Sequence, residues 1–197
     1  MRPRTRDDWD RDLAQRDSIE TDVEHAIRNH PAIRSVRSHT KSKNLLDYDV
    51  TDTAGHHLAV ELKARRQTPA ASWQAQLDYS SPADVFVLDE LTVFKMIEQA
   101  PHAYLLIADL PGHRWVIFSI GDLVVIDKAR IARPLFNNAP GHLTKGKWVL
   151  DLSHAPIIET NLNDALDELS LLTRTVQVCW GQPALWPQRK QRRSTAA

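Results

Sequence analysis

The chain has 197 residues, 42% of them hydrophobic and 25% charged, and its 25 basic side chains balance 25 acidic ones. That length suits one compact domain with a sizeable core, and a net charge of zero argues against a general polyanion binder. One cysteine, Cys179, excludes an intramolecular disulfide, no apolar run approaches the roughly 20 residues of a membrane span, and "MRPRTRDDWDRD" lacks the apolar stretch of a secretory signal. A reducing, cytoplasmic setting is the expectation.

In chain order, "RDSIETDVEHAIRNHP" spaces Ile19, Val23, Ala26 and Ile27 as a helix does, with Asp17 or Ser18 as its cap and Pro31 at its end. The preceding "RPRTRDDWDRDLAQ" is expected as a loosely attached helix. "AIRSVRS" alternates apolar and basic residues like a half-buried strand. After the polar loop "HTKSKN", the runs "LLDYDVTD" and "HHLAVELKA" are joined through Thr53, Ala54 and Gly55, which predicts a hairpin. "QTPAASWQAQLDY" has a Thr-Pro start signal and predicts a short helix. "ADVFVL" predicts a strand and "DELTVFKMIEQA" a helix capped by Asp89. "HAYLLIADL" and "HRWVIFSI" predict buried strands around the Pro111-Gly112 turn. "GDLVVIDKARIARP" suits helix and strand equally, and "KGKWVLDL" predicts a late strand. "NLNDALDELSLLTRTV" carries Leu162, Ala165, Leu166, Leu169 and Leu172 along one helical stripe. The order of elements indicates a mixed α/β domain with a central sheet. It would span residues 18–180, between an N-terminal extension (1–17) and a basic tail (181–197) that ends in "RKQRR".

The informative stretch is "LLDYDVTDTAGHHLAVELKAR". On a strand, Glu61 and Lys63 share one face while Val60, Leu62 and Ala64 point the other way, toward the expected core. Asp47 and Asp49 share a face of the partner strand. In a hairpin, Asp47 with Glu61 (index sum 108) or Asp49 with Glu61 (sum 110) can align, depending on the turn. Either register gathers an Asp, a Glu and a Lys on one patch. Two close carboxylates repel unless a cation lies between them. Lys63 supplies one positive charge, and Mg²⁺, which takes oxygen ligands and commonly one or two protein carboxylates, would supply the rest. Metal-bound water beside an ammonium is a set of parts that hydrolyses phosphodiesters. Basic residues flank the motif: Arg28, Arg34, Arg37, Lys41 and Lys43 before it, Lys63, Arg65 and Arg66 within and after it. Such charge holds a phosphate backbone or simply solvates a surface.

Asp47 followed by Glu61-Leu62-Lys63 across a hairpin resembles the signature of the PD-(D/E)xK nuclease superfamily, which includes many restriction enzymes and Holliday-junction resolvases. Upstream, Glu20 precedes Val23 and Ile27 in the spacing of the first helix of archaeal-type resolvases, and "IRSVRS" resembles their basic first strand; the likeness covers about Ile19 to Arg66. It implies a restriction-endonuclease-like core, and an endonuclease acting on DNA with Mg²⁺, for which Mn²⁺ substitutes. Asp47 and Glu61 would hold the ion with the carbonyl of Leu62. Lys63 would position or activate the attacking water, and Glu20 would hold an outer-shell water or a second ion. Arg37, Lys41, Lys43 and Arg65 would meet phosphates. Leu46 stands where the family often has proline. "LDYDV" favours Asp47 over Asp49, because the family tends to start this strand at the acid. A homodimer is compatible with cutting both strands of a duplex. Two blander readings stand beside this one. Glu61 and Lys63 are then an exposed ion pair at a sheet edge, or the fold binds nucleic acid or protein with a degenerate site.

Overall fold

The apolar spacing around Val23 and Ile27 builds helix α1 (Arg6–Asn29) in the computed structural model, which describes residues 6–42, 44–77, 81–134 and 144–180. Lys43 and the basic run 189–193 lie outside the described residues. α1 is one continuous helix rather than two. Asp17 and Ser18 sit inside it instead of capping it, because "RDDWDRDLAQ" contains no Gly or Pro to interrupt the ladder. It stops before Pro31, which has no N–H to donate.

Strands β1 (Ile33–Ser38), β2 (Tyr48–Asp52) and β3 (His57–Arg65) follow. Next come a single helical turn α2 (Ala71–Gln74), strand β4 (Val85–Asp89) and helix α3 (Glu90–Glu98). Strands β5 (Ala103–Asp109) and β6 (Arg114–Ser119) lead to helix α4 (Ile120–Val125), and β7 (Lys128–Pro134), β8 (Thr144–Asp151), β9 (Ile157–Glu159) and α5 (Leu162–Trp180) complete the order. The ambiguous segment 121–134 is thus helix and then strand. Ser119 and Asp122 close a capping box that starts α4.

Six strands form a mixed sheet in the order β1-β2-β3-β5-β6-β9, in which only β3 and β5 run parallel. A second, antiparallel sheet has the order β4-β8-β7. The crossover between parallel β3 and β5 passes through α2, β4 and α3, as a parallel pair requires.

Both faces of the large sheet are covered. Val60 and Leu62 of β3, with Tyr48, Tyr104, Leu106 and Ile117, pack against Val23 and Ile27 of α1 and Ala165, Leu166 and Leu169 of α5. Fully burying each such leucine or isoleucine contributes roughly 1.5–3 kcal/mol. On the opposite face Ala59, Leu105, Ile107 and Phe118 meet Val93 and Met96 of α3, Leu123 of α4, and Leu88, Trp148 and Leu150 of the second sheet. β3 therefore lies inside the sheet, between β2 and β5. That position excludes the edge-strand reading of Glu61 and Lys63.

The second sheet is fastened by charge as well as packing. Asp89 precedes α3 without capping it through its side chain; its carboxylate instead pairs with Lys145, at 2.7 Å, and with Lys147. Glu90 accepts from the indole of Trp148 at 3.1 Å and pairs with Arg130. A Cβ at Gly146 would fall onto the carboxylate of Glu90, so a side chain there would displace Glu90 from its partners.

Candidate active site

The geometry of the site begins at the hairpin turn. Gly55 has φ +87°, in the left-handed region that glycine enters without penalty. Asp52, fully buried, accepts from the main-chain N–H of His56 at 2.8 Å and pairs with its ring at 2.9 Å. Burial works to raise the pKa of Asp52, but the hydrogen bonds and charge of His56 outweigh it and hold the carboxyl below its usual range. The turn fixes the register Tyr48↔Val60 and Asp49↔Ala59, an index sum of 108. Asp47 is therefore the aspartate opposite Glu61. Asp49 belongs with Ala59, and its carboxylate, 60% exposed, turns to His39 at 2.9 Å. The register thus sets Asp47, the aspartate that the resemblance favours, opposite Glu61.

Asp47 lies immediately before β2 and is buried; its Oδ2 accepts the main-chain N–H of Leu62 at 2.9 Å. Glu61 is only 4% exposed. Its Oε1 meets the ammonium of Lys63, and its Oε2 is buried without a hydrogen-bond partner. Lys63 also donates to the carbonyl of Leu62 at 3.2 Å. Burial pushes the pKa of Glu61 up, with the charge of Asp47 adding to it, while Lys63 and Lys95 pull it down without cancelling it. Two buried carboxylates, near enough for the charge of Asp47 to act on Glu61, thus share a junction with one half-buried ammonium.

Glu20 enters from α1. Its main-chain carbonyl accepts from the Tyr48 hydroxyl at 3.0 Å, which ties the helix to β2. Its half-buried side chain lines one cleft of about 240 Å³ with Ile19, Leu62, Lys63, Ala64 and Arg66. It also lines a second cleft of about 380 Å³ with Asp17, Glu24 and Lys41. Glu20 shares that first cleft with Lys63, and among the described residues no group of three His, Cys, Asp or Glu is gathered closely enough to hold a metal. The Leu62 carbonyl, which the resemblance implies as a third ligand, accepts from Lys63.

The flanking cations divide. Arg37 is exposed on β1, opposite Asp49 in register, and Lys41 is exposed on the wall of the acidic cleft. Arg65 corrects the expectation of a phosphate contact. It is 4% exposed, donates to Asp109 at 2.6 Å and to the Val85 carbonyl at 3.2 Å, and so serves the core. Asp109 holds Arg114 at 2.7 Å as well, and Arg114 also pairs with Asp84 at 2.5 Å. This network joins the ends of β3, β5 and β6 to the second sheet. Burial alone would lower the pKa of Arg114, but Asp84 and Asp109 raise it.

Lys95 of α3 is the site residue that sequence reasoning missed. Its ammonium donates to the Leu45 carbonyl at 3.3 Å, two residues before Asp47, and its charge acts on Glu61. Nothing local marks it, since a lysine in the last turn of a helix is ordinary. His56 and His57 serve the hairpin turn, pairing with Asp52 and Thr51.

Chemically, two carboxylates with an ammonium beside them are an oxygen-donor set of the kind that hard cations take. Comparison with protein-family models, with curated proteins and with solved structures gives no match to this chain.

Proposed function

We propose that the protein is a metal-dependent nuclease that hydrolyses phosphodiester bonds of DNA on a restriction-endonuclease-like core. One observation carries the reading: Glu61, buried beside a second carboxylate, has an oxygen without a hydrogen-bond partner. A buried polar atom left unsatisfied costs about 1–3 kcal/mol. A chain that needed Glu61 only for packing would place an apolar residue there, so the orphan oxygen suits a ligand supplied from outside.

The donor set fits Mg²⁺. Asp47, Glu61 and the Leu62 carbonyl are all oxygen ligands, and two carboxylates leave positions for water and phosphate oxygens. When bound, such an ion makes water more acidic and shields charge on phosphorus. The residues supply the rest. Asp47 and Glu61 would hold that ion, and the reacting phosphate would take its position from it. Lys63, which bridges Glu61 and the Leu62 carbonyl, would hold the attacking water and offset its developing charge. In the overall reaction the water oxygen bonds to phosphorus, the bond to one ester oxygen breaks, and that oxygen takes up a proton. A phosphomonoester and an alcohol remain.

One observation favours a second reading, a nuclease-like fold that only binds nucleic acid or protein. The Lys63 ammonium already caps the Glu61 carboxylate and the Leu62 carbonyl, so the junction has a cation of its own. The two readings separate on incubation with plasmid, linear, branched and single-stranded DNA in Mg²⁺ or Mn²⁺. Cleavage that EDTA and Lys63→Ala both abolish supports the enzyme; cleavage that survives Lys63→Ala places the reaction elsewhere.

A further inference from the structure

We propose that Lys95 is a second cation of the same site and contacts the phosphate group of the bound nucleic acid; this rests on the nuclease reading above.

Three observations support it. Val93 and Met96, on either side of Lys95 in sequence, are fully buried in the cluster that contains Leu46 and Ala59, so α3 is fastened directly under the strands that carry Asp47 and Glu61. From there the Lys95 ammonium reaches the Leu45 carbonyl at 3.3 Å. Among the described residues no carboxylate lies within ion-pair distance of it, whereas Lys63, Arg65, Arg114, Arg130, Lys145 and Lys147 each have one. One of its three donors is used, and two remain.

The charge count gives those donors a purpose. Asp47 and Glu61 are cancelled by Lys63 and Lys95, and Glu20 by Arg66 of the adjoining cleft, so a divalent ion would leave the site with two positive charges. A phosphodiester carries one negative charge, and an attacking hydroxide adds a second. Without Lys95 the site would fall one charge short of that transition state. Preorganised charge of this kind, in a partly buried setting, is a large contributor to catalysis. The competing account is that Lys95 merely complements the C-terminal end of the α3 dipole.

The test compares wild type, Lys95→Met, Lys95→Arg and Lys63→Met. Binding of fluorescein-labelled duplex and single-stranded oligonucleotides is followed by anisotropy across a salt series in EDTA. Turnover of the same oligonucleotides is then measured in Mg²⁺. A phosphate contact predicts that Lys95→Met flattens the plot of log K against log salt by about 0.9 on duplex or about 0.7 on single strands. It also predicts a fall in kcat of about 10²-fold, restoration of the salt slope by Lys95→Arg, and an unchanged melting temperature. A wild-type slope in Lys95→Met, with wild type cleaving and Lys63→Met inactive, overturns the role of Lys95 and leaves the nuclease reading standing. A wild type that neither binds nor cleaves the oligonucleotides overturns both.

Discussion

The carboxylate of Asp47 accepts the main-chain N–H of Leu62 across the hairpin, at 2.9 Å, with both residues buried. This bond aims the aspartate at the Glu61-Leu62-Lys63 segment and satisfies a buried donor at once. Asp47→Ala is expected to cost about 1–3 kcal/mol for the orphaned N–H, or roughly 2–4 °C in Tm for each kcal/mol in a chain of this size. Asp47→Asn keeps an acceptor and is expected to cost less. Asp49→Ala changes an exposed residue and is expected to stay within about 0.5 kcal/mol of wild type. Chemical denaturation of the three variants ranks them, and an Asp49 variant weaker than the Asp47 ones would contradict the register.

Glu61 sets a pH dependence of stability. Its folded pKa is raised, by burial first and by Asp47 second, so the folded chain holds this proton more tightly than the unfolded chain. The group therefore favours folding fully below the unfolded glutamate value of about 4.3, and that advantage is lost as pH rises through the raised folded value. In EDTA at neutral pH, Glu61→Gln is expected to melt above wild type. The gap should close as the pH falls toward the unfolded value. Thermal denaturation across pH checks the sign.

Divalent ions are expected to reverse that ranking. An ion that binds the folded state alone stabilises it by about 2.7 kcal/mol at a hundred times its Kd. Mg²⁺ or Mn²⁺ should raise the melting temperature of wild type and leave Asp47→Ala and Glu61→Gln unmoved. An equal rise in all three would show the ion binding away from these carboxylates.

Asp109 is expected to be the most sensitive polar position outside the site. It is nearly inaccessible and holds both Arg65 and Arg114. Removing one partner of a buried ion pair typically costs about 3–5 kcal/mol, because the charge left behind is uncompensated. Asp109→Ala is expected to fall in that range. Arg65→Met, which removes the charge and keeps most of the apolar stem, is expected to cost less, as read by urea denaturation.

Much of this architecture was legible in local patterns. The α5 stripe of Leu162, Ala165, Leu166 and Leu169, the continuous apolar run of β5 and the hairpin around Gly55 depend on spacing and turn chemistry that a short window contains. The start of α4 went unread: periodicity left that segment undecided, and the Ser119–Asp122 capping box shows only in the structure. What else escaped was non-local. Arg65 is separated from Asp109 by 44 positions, so nothing near Arg65 distinguishes a core ion pair from a phosphate contact. Lys95 lies 50 positions beyond Leu45, and its place in the site exists only once α3 docks on β3. The pairing of β4 with β8 likewise joins segments some 60 residues apart.

The turn at Asp52, Gly55 and His56 controls more than the direction of the chain. Inserting one residue there would slide β3 by a single step, and every side chain along it would change sides. Glu61 would then be driven among Val23, Ile27 and Leu166, while Leu62 took its place between the charges. Folding in that frame would strand a carboxylate in hydrocarbon, so the same alignment that lets this chain collapse is the one that assembles its acids.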